Sequence, residues 1–276
     1  IDPEQYDDAI IVLEGMLKGM PDSADLQYLA GVSYDGKGDD DKAMAHFKRV
    51  TPDNRFYENA VVHISILYQE QKKITEAIAY IKTAIENNPD NPEFMLYLGS
   101  FNEEMEAYSD AETALKKGLD IDPGHVRIQF RLGVVYDKWG KKSESIAAMQ
   151  KVIALDPENA NALNYLGYTY ADMGTNLDEA ESLIRKALKY KPDDGYITDS
   201  LGWVLYKKGL FQEALIYLEK AVELTVDDPI ILEHLGDAYL QIQDRENALK
   251  YYQESLRIKT EDTEKLKNKI RDLLEP

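Results

Sequence analysis

A small residue recurs along this chain at an almost constant interval, and no other feature limits the fold as strongly. The gaps between successive copies are 34, 34, 34, 34, 35 and 34 residues, and the copies are Gly31, Ser65, Gly99, Gly133, Gly167, Gly202 and Gly236. A repeat of this length is one supersecondary unit, which buries its apolar side only by stacking on its neighbours. The sequence therefore predicts a solenoid.

Other positions keep step with this small residue. The third residue after it is aromatic in five copies and reads Tyr34, Tyr68, Asn102, Tyr136, Tyr170, Leu205 and Tyr239. A second small residue follows at Ala43, Ala77, Ala111, Ser145, Ala180, Ala214 and Ala248. Four residues later comes a bulky apolar one, at Phe47, Ile81, Leu115, Met149, Ile184, Leu218 and Tyr252. Each copy therefore predicts two amphipathic helices that approach closely at their small residues.

Glycine and proline mark the ends of these helices. A glycine suits the end of the first helix at Gly38, Gly140, Gly174 and Gly209. Prolines close several copies at Pro89, Pro123, Pro157 and Pro192. Such residues end helices, because glycine adopts left-handed backbone angles and proline cannot continue a helix.

Departures from the pattern carry predictions of their own. Pro52 comes early in its copy, and extra residues after it restore the register. One residue is inserted between Gly174 and Ala180, which predicts a longer turn. Asn102 stands where most copies have tyrosine, so we expect the third copy to pack less well unless Phe101 compensates.

The period, the Leu-Gly-x-x-Tyr core, the later alanine and the closing proline resemble the tetratricopeptide repeat family. The segment NALNYLGYTYADMG, followed by LDEAESLIRKALKYKPDD, is a strong match, and the wording of the repeats resembles bacterial members. The similarity covers nearly the whole chain. It implies an all-α fold, a right-handed superhelical solenoid of helix–turn–helix repeats whose first helices line a concave groove.

We expect one superhelical domain over residues 1–276. Residues 1–21 resemble only the second helix of a repeat, which leaves an uncapped apolar face at that end. Residues 22–260 hold the seven repeats. In residues 261–276, Leu266, Ile270 and Leu273 share one helical face, which predicts a C-terminal capping helix.

Charge and composition narrow the range of partners. The chain has 51 acidic and 32 basic residues, which disfavours a nucleic-acid backbone or an anionic membrane surface as the main partner. Cysteine is absent, which removes disulfides and thiolate chemistry. The apolar runs are too short for membrane insertion. The chain begins IDPEQYDD without methionine, so we expect a processed or trimmed chain, and its compartment, cytoplasmic or exported, stays open.

The sequence shows no motif for catalysis, a metal or a cofactor. The four histidines lie at different points of the repeat without ligand spacing, and we interpret them as surface or packing residues: His46, His63, His125 and His234. The run DGKGDDD, residues 35–41, lacks the alternating acids and closing glutamate of a calcium loop and falls where a repeat turn belongs. We therefore predict that the chain is not an enzyme.

A helical projection divides each first helix into two stripes. With about 100° per residue, the small residue and its packing neighbours cluster on one side, and a second stripe lies about 140° round the helix. The family resemblance implies that this second stripe lines the groove. In repeats one to three it holds six acids and no base: Asp25, Asp35, Glu70, Glu93, Glu103 and Glu104. In repeats four to six the predicted groove residues are Arg127, Phe130, Arg131, Asn161, Asn164, Tyr168, Tyr196, Trp203 and Tyr206.

These residue types suit an extended peptide. The amides of Asn161 and Asn164 can donate to and accept from a backbone, and the aromatic rings offer flat apolar area. Arg127 and Arg131 can pair with a carboxylate. The alternative is that the rings pack between neighbouring first helices, and that the arginines form salt bridges with Asp137 or nearby glutamates. The acidic stripe is either a solvated face or a surface that steers a basic partner.

The sequence thus predicts a non-catalytic scaffold that binds an unidentified protein or peptide in its groove, mainly through repeats four to six. Three alternatives stay open. The repeats could belong to a larger enzyme or export machine, the bare N-terminal face could support self-association, or the aromatic residues could hold a glycan.

Overall fold

The computed structural model describes residues 3–261 and 263–275, and within these residues all regular secondary structure is α-helical. The described helices are α1 (Pro3–Gly19), α2 (Ala24–Lys37), α3 (Asp40–Phe47), α4 (Tyr57–Glu70), α5 (Ile74–Asn87), α6 (Pro92–Glu104), α7 (Tyr108–Ile121), α8 (Val126–Lys138), α9 (Lys142–Leu155), α10 (Ala160–Met173), α11 (Leu177–Tyr190), α12 (Gly195–Lys207), α13 (Phe211–Leu224), α14 (Pro229–Gln241), α15 (Arg245–Ile258) and α16 (Glu264–Leu274). The predicted all-α class and the two helices per repeat are confirmed.

The helices of a pair close on the small residues that the repeat predicts. The second small residue is fully buried in every copy: Ala43, Ala77, Ala111, Ser145, Ala180, Ala214 and Ala248. The first small residue admits the bulky residue of the partner helix. A Cβ atom added to Gly202, for example, would lie 2.6 Å from Cγ of Leu218, which is closer than two carbon atoms can approach. Larger residues at these positions would push the paired helices apart.

The turns between paired helices require a left-handed backbone. Gly38, Gly140, Gly174 and Gly209 all have positive φ, as their positions in the repeat predict. Repeats without this glycine place other residues in the same region, among them Glu106 with φ 57°. The inserted residue lengthens its turn as predicted, because α11 begins three residues after Gly174 whereas α13 begins two after Gly209.

The first compact unit spans Ile1–Ser145. In it α1 packs against α2 through Leu17, Leu26 and Ala30, and the core continues through α4 and α5 to Phe94 of α6. Helix α3 has only eight residues, because the early Pro52 leaves an irregular segment before α4. Register then returns at Ser65, which is fully buried.

The third repeat departs from the others inside this unit. Phe101 is buried against Ile74 and Ala77, so it fills space towards the preceding repeat. Asn102, at the position of the missing tyrosine, borders an open cavity. Phe101 therefore does not compensate at the place where the tyrosine is absent.

The second compact unit spans Ile146–Pro276. The pairs α10–α11, α12–α13 and α14–α15 pack in sequence, and α16 packs against α15. Leu266 of α16 is fully buried beside Tyr252, with Ile270 and Leu273 against the same cluster. The predicted capping face is confirmed, residue by residue.

Candidate functional site

The predicted groove residues of repeats five and six lie on two neighbouring first helices of the second unit. On α10, Asn161, Asn164 and Tyr168 are three and four residues apart and so share one face. On α12, Tyr196 and Trp203 are seven residues apart and also share a face. Since α10 packs against α12, and α12 against α14, the three first helices form one continuous surface.

Three aromatic rings stack at the centre of this surface. The ring of Trp203 lies 4.9 Å from that of Tyr206, at an interplanar angle of 4°. On α14, the imidazole of His234 lies 4.0 Å from Trp203, at 13°. Tyr168 reaches the same imidazole from α10, with the ring centroids 6.5 Å apart. We call these four residues the aromatic cluster. It joins α10, α12 and α14.

A buried carboxylate contact orients the imidazole of this cluster. The Nδ1 atom of His234 lies 3.0 Å from each carboxylate oxygen of Asp199, and both side chains are less than one-tenth exposed. Asp199 falls on the second stripe of α12, but neither residue is among the groove residues predicted from the sequence. The sequence signal that could have paired Asp199 with His234 is their separation of 35 residues, which is one repeat plus one position. It places both on the same stretch of consecutive first helices.

Two buried polar atoms on this surface have no hydrogen-bond partner among the described residues. One is the indole N–H of Trp203, a donor, and the other is Oδ1 of Asn164, an acceptor. Trp203 is 9% exposed. A buried polar group without a partner costs about 1–3 kcal/mol, so native structures avoid it unless something else is gained. These two atoms mark the surface as unsatisfied when it stands alone.

The other predicted residues of this surface are more accessible. Tyr196 is 59% exposed, and Tyr168 and Tyr206 are half-buried. Burial, reinforced by Asp172 and Asp199, raises the pKa of Tyr168 to about 12. Burial also raises the pKa of Tyr206. The hydroxyls of Tyr168 and Tyr206 therefore both stay neutral at physiological pH. Asn161 differs from Asn164, because its Oδ1 accepts a hydrogen bond from Lys191 at 2.8 Å.

The predicted residues of repeat four lie on α8, in the first unit. Nη1 of Arg127 donates to both oxygens of Glu93 at 3.0 Å, and Arg131 pairs with Glu103 at 3.2 Å. Phe130 is half-buried on the same helix. The glutamate pairing proposed as an alternative for both arginines is thus present. Glu103, one of the acids of the first three repeats, is 5% exposed and is not a solvated residue.

The remaining histidines also pair with polar side chains of the first unit. His46 bonds Gln27 at 2.7 Å, His63 lies 3.1 Å from Asp35, and His125 lies 3.1 Å from Glu93. Within the described residues, no cluster of three or more potential ligands could hold a metal ion. The acidic run of residues 35–41 forms the predicted turn, in which Asp39 caps α3.

The N-terminal helix presents apolar side chains to solvent. Ile11 is 70% exposed and Val12 60%, with Met16 on the same helix also exposed. Self-association through the N-terminal face stays a prediction.

Family models agree with the repeat pattern. Five models, each described as tetratricopeptide repeat, match residues 25–51, 68–129, 126–159, 148–182 and 175–268. The chain belongs to the tetratricopeptide repeat family. Only residues 1–24, 52–67 and 269–276 lie outside these matches, and the second of these segments contains part of the irregular stretch before α4.

Curated and solved relatives place the chain among tetratricopeptide repeat proteins. A TPR repeat-containing protein of Pseudomonas aeruginosa is 42% identical over 67 residues, which are 24% of this chain and 11% of that protein. A tetratricopeptide repeat protein from Parabacteroides merdae superposes over 92% of this chain and 99% of its own, with a TM-score of 0.69 and 16% identity. A chain of the APC/C hetero-tetramer Cut9–Hcn1 superposes over 99% of this chain and 54% of its own, with a TM-score of 0.73 and 17% identity.

These likenesses show the fold. The tetratricopeptide fold is generally a non-catalytic protein-interaction module, and this chain has that fold throughout its described residues. None of the helices in residues 3–261 and 263–275 combines the length and the apolar composition that crossing a bilayer requires.

Proposed function

We propose that this tetratricopeptide chain is a non-catalytic scaffold that holds an extended peptide segment of a protein partner against the first helices of repeats five and six. One observation carries the proposal. A buried donor, the indole N–H of Trp203, and a buried acceptor, Oδ1 of Asn164, lie on two adjacent first helices without a hydrogen-bond partner in the described part of the chain.

An extended peptide answers both needs. Its backbone presents N–H donors and C=O acceptors along one strand, so a segment that displaces the side chains covering these two atoms can accept from the indole N–H and donate to the amide oxygen. Each unpaired group is costly in the free protein, and binding would recover that cost. The surface is thus arranged to gain more from a backbone than a fully bonded surface would.

The aromatic residues supply the contact area. Tyr168 and Tyr206 are half-buried. Tyr206 is stacked on Trp203 and Tyr168 contacts His234, so both rings are already placed and lose little conformational entropy on binding. Tyr196 is exposed at the start of α12, where it can close over a bound segment. Rigid aromatic residues of this kind are the usual anchors of protein interfaces.

The residues of repeat four have a smaller part in the proposal. A carboxylate of the partner would have to displace Glu93 from Arg127 or Glu103 from Arg131, and exchanging one salt bridge for another gains little. The groove role of Phe130 and these two arginines stays a prediction for the first unit alone. One structural relative assembles with other chains, because the Cut9–Hcn1 structure is a hetero-tetramer.

The test removes the two unpaired atoms and keeps the shape of the surface. Peptides are selected from a displayed library against the wild-type chain, and their affinities are measured by calorimetry for wild type and for Asn164→Leu with Trp203→Phe. We expect the double variant to bind at least about tenfold more weakly, because two hydrogen bonds of about 1 kcal/mol each are lost. Its free energy of unfolding should not fall in proportion, since two unsatisfied groups are removed as well.

A matched control lies one turn away on α10. Asn161→Leu removes an amide whose oxygen is already bonded to Lys191, so we expect it to weaken the same peptides much less than Asn164→Leu. Peptides that bind the double variant as tightly as wild type would show that this surface is not the binding site.

A further inference from the structure

The third repeat lacks a tyrosine that anchors its neighbours. In five repeats the hydroxyl of this residue bonds a side chain 20 or 24 residues earlier: Tyr34 with Glu14, Tyr68 with Lys48, Tyr136 with Glu112, Tyr170 with Gln150, and Tyr239 with Glu219. The phenol ring is buried in three of these repeats and half-buried in the other two. The hydroxyl ends at a polar side chain near the surface.

An open cavity takes the place of this ring in the third repeat. It has a volume of about 430 Å³ and lies entirely in the first unit, beside Asn102. Its floor is apolar and largely buried, and is formed by Ile85, Met95, Leu98 and Ala114. Its rim is exposed and charged, with two lysines and two acids: Lys82, Lys117, Glu86 and Asp110. We call this cavity the Asn102 pocket.

The walls of the Asn102 pocket correspond to the neighbours of the tyrosine in other repeats. Lys82 precedes Asn102 by 20 residues, the same interval that separates Lys48 from Tyr68, to whose hydroxyl Lys48 donates at 3.0 Å. Ala114 follows Asn102 by 12 residues, where the second repeat has Tyr80, whose ring lies 6.3 Å from that of Tyr68. The third repeat therefore lacks two rings. It keeps the lysine that would meet the hydroxyl.

We propose that the Asn102 pocket binds the phenol ring of a tyrosine side chain on a partner polypeptide. The ring would lie on the floor of Ile85, Met95 and Leu98, and Lys82 would donate to the phenol oxygen. This site is independent of the surface on α10 and α12.

Chemistry on the page favours this occupant. An apolar group that covers this floor removes apolar surface from water, which is favourable, and pockets of about 300–1,000 Å³ are typical of ligand sites. Within the described residues, the Nζ atom of Lys82 has no hydrogen bond or ion pair, so it is available to a ligand. The rim balances two positive and two negative charges, which suits a neutral phenol, whose ordinary pKa is about 10.

The exposed rim favours a side chain presented by a polypeptide. A tyrosine can enter with its ring while its backbone remains outside, among charged groups that hydrogen-bond to amides. The repeat itself supplies a precedent, because tyrosine rings from the first helices occupy the equivalent places in other repeats.

The binding test uses three probes on the full chain with labelled methyl groups. N-acetyl-tyrosinamide, N-acetyl-phenylalaninamide and p-cresol are titrated while the methyl signals of Ile85, Met95 and Leu98 are followed by nuclear magnetic resonance. We expect all three to shift these signals. The tyrosine derivative should bind about three- to tenfold more tightly than the phenylalanine derivative, because only it accepts from Lys82. Lys82→Met should remove that preference.

Two variants fill the pocket from opposite walls. Asn102→Tyr supplies the missing ring from within, and Ala114→Leu narrows the cavity from α7. Each should weaken N-acetyl-tyrosinamide at least tenfold, and Asn102→Tyr should also raise the unfolding midpoint, as cavity filling does. Asn164→Leu, in the second unit, should leave the binding unchanged.

The outcomes separate the possibilities. Unshifted methyl signals, or binding that survives both filling variants, would overturn the proposal. So would binding of p-cresol together with exclusion of N-acetyl-tyrosinamide, because a free phenol would then be the ligand and not a tyrosine of a polypeptide. Failure of the peptide tests on α10 and α12 would leave this result untouched, since the two sites share no residue.

Discussion

The first helices of the two units use the same positions of the repeat for opposite purposes. On α6 and α8 of the first unit, charged residues pair across consecutive repeats, as Glu93 does with Arg127 and Glu103 with Arg131. On α10, α12 and α14 of the second unit, aromatic rings stack around Trp203, and two buried polar atoms have no partner among the described residues. One face is satisfied by itself and the other is not.

This difference shows what the stripe contributes once the scaffold is fixed. Both faces stand on helix pairs closed by the same buried small residues. A salt bridge at the surface contributes little stability and has little left to offer a partner. A stack with an unused donor and acceptor is stable enough to be preformed and still gains from a ligand. The stripe residues therefore decide which face is a binding surface.

The largest expected difference between the faces concerns stability. Trp203→Ala removes a side chain that is 9% exposed and stacked on two rings, so we expect a loss of about 3 kcal/mol in the free energy of unfolding. Arg127→Ala removes a side chain that is 62% exposed, and we expect less than about 0.5 kcal/mol. Urea unfolding followed by circular dichroism measures both values.

Hydrogen exchange locates the effect of each change. The loss in Trp203→Ala should appear in peptides from α12 and α14, because His234 and Tyr206 lose their stacking partner. Exchange in α6 and α8 should stay as in wild type. Equal losses from the two substitutions would mean that the two faces do not differ in packing.

A second comparison contrasts a lysine that bridges two carboxylates in the second unit with one that pairs with a single carboxylate in the first. In the second unit, Lys269 lies 2.6 Å from Asp237 and 3.0 Å from Glu233, and its side chain is 33% exposed. In the first unit, Lys138 lies 2.8 Å from Glu103 but is 54% exposed. We expect Lys269→Met to lower the free energy of unfolding by about 1–2 kcal/mol at neutral pH. Lys138→Met should change it by less than about 0.5 kcal/mol.

The pH dependence of the first effect follows from two pKa directions. Burial alone would raise the pKa of Glu233, but Lys269 and Lys259 hold it below its ordinary 4.5. Burial alone would lower the pKa of Lys269, but Asp237 and Glu233 hold it above its ordinary 10.5. The stabilisation from Glu233 is therefore full above pH 4.5 and lost as the pH falls through the lowered pKa. That from Lys269 is full below pH 10.5 and lost as the pH rises further. A difference between wild type and Lys269→Met that persists at acid pH would contradict this interpretation.

Much of the scaffold follows from the sequence, because the repeat tests each position several times. The buried alanines, the left-handed turn glycines and the capping face of Leu266 were each predictable from spacing alone. The neighbour of Gly202 could be predicted, because Leu218 occupies the matching position of the paired helix. Periodicity reports backbone geometry well. It places a side chain on a face.

The site was less predictable, because periodicity does not say how side chains on one face arrange themselves. Periodicity placed Trp203, Tyr206 and Tyr168 on one face. The ring that connects Trp203 to Tyr168 belongs to His234, which the sequence indicated only as a surface or packing residue. Nor could periodicity show that the oxygen of Asn164 is unpaired while that of Asn161 is bonded, since both amides share one helix face. Those distinctions depend on the lengths and rotamers of side chains from three different helices.

The smallest expected effects test whether the turns between paired helices contribute equally to stability in the two units. The turn after α6 places Glu106 at φ 57°, and the turn after α12 places Gly209 at φ 78°. Left-handed angles cost a residue with a Cβ atom about 1 kcal/mol, so Gly209→Ala should lower the free energy of unfolding by about that amount. Glu106→Gly should raise it by less, about 0.5 kcal/mol, because glycine also loosens the unfolded chain. Denaturant midpoints measure both changes. Effects of opposite sign and similar size would mean that the turns behave alike in both units. The contrast between the two faces would then arise from their stripe residues. Effects of the same sign would mean that the turns differ, and part of that contrast would then come from the scaffold.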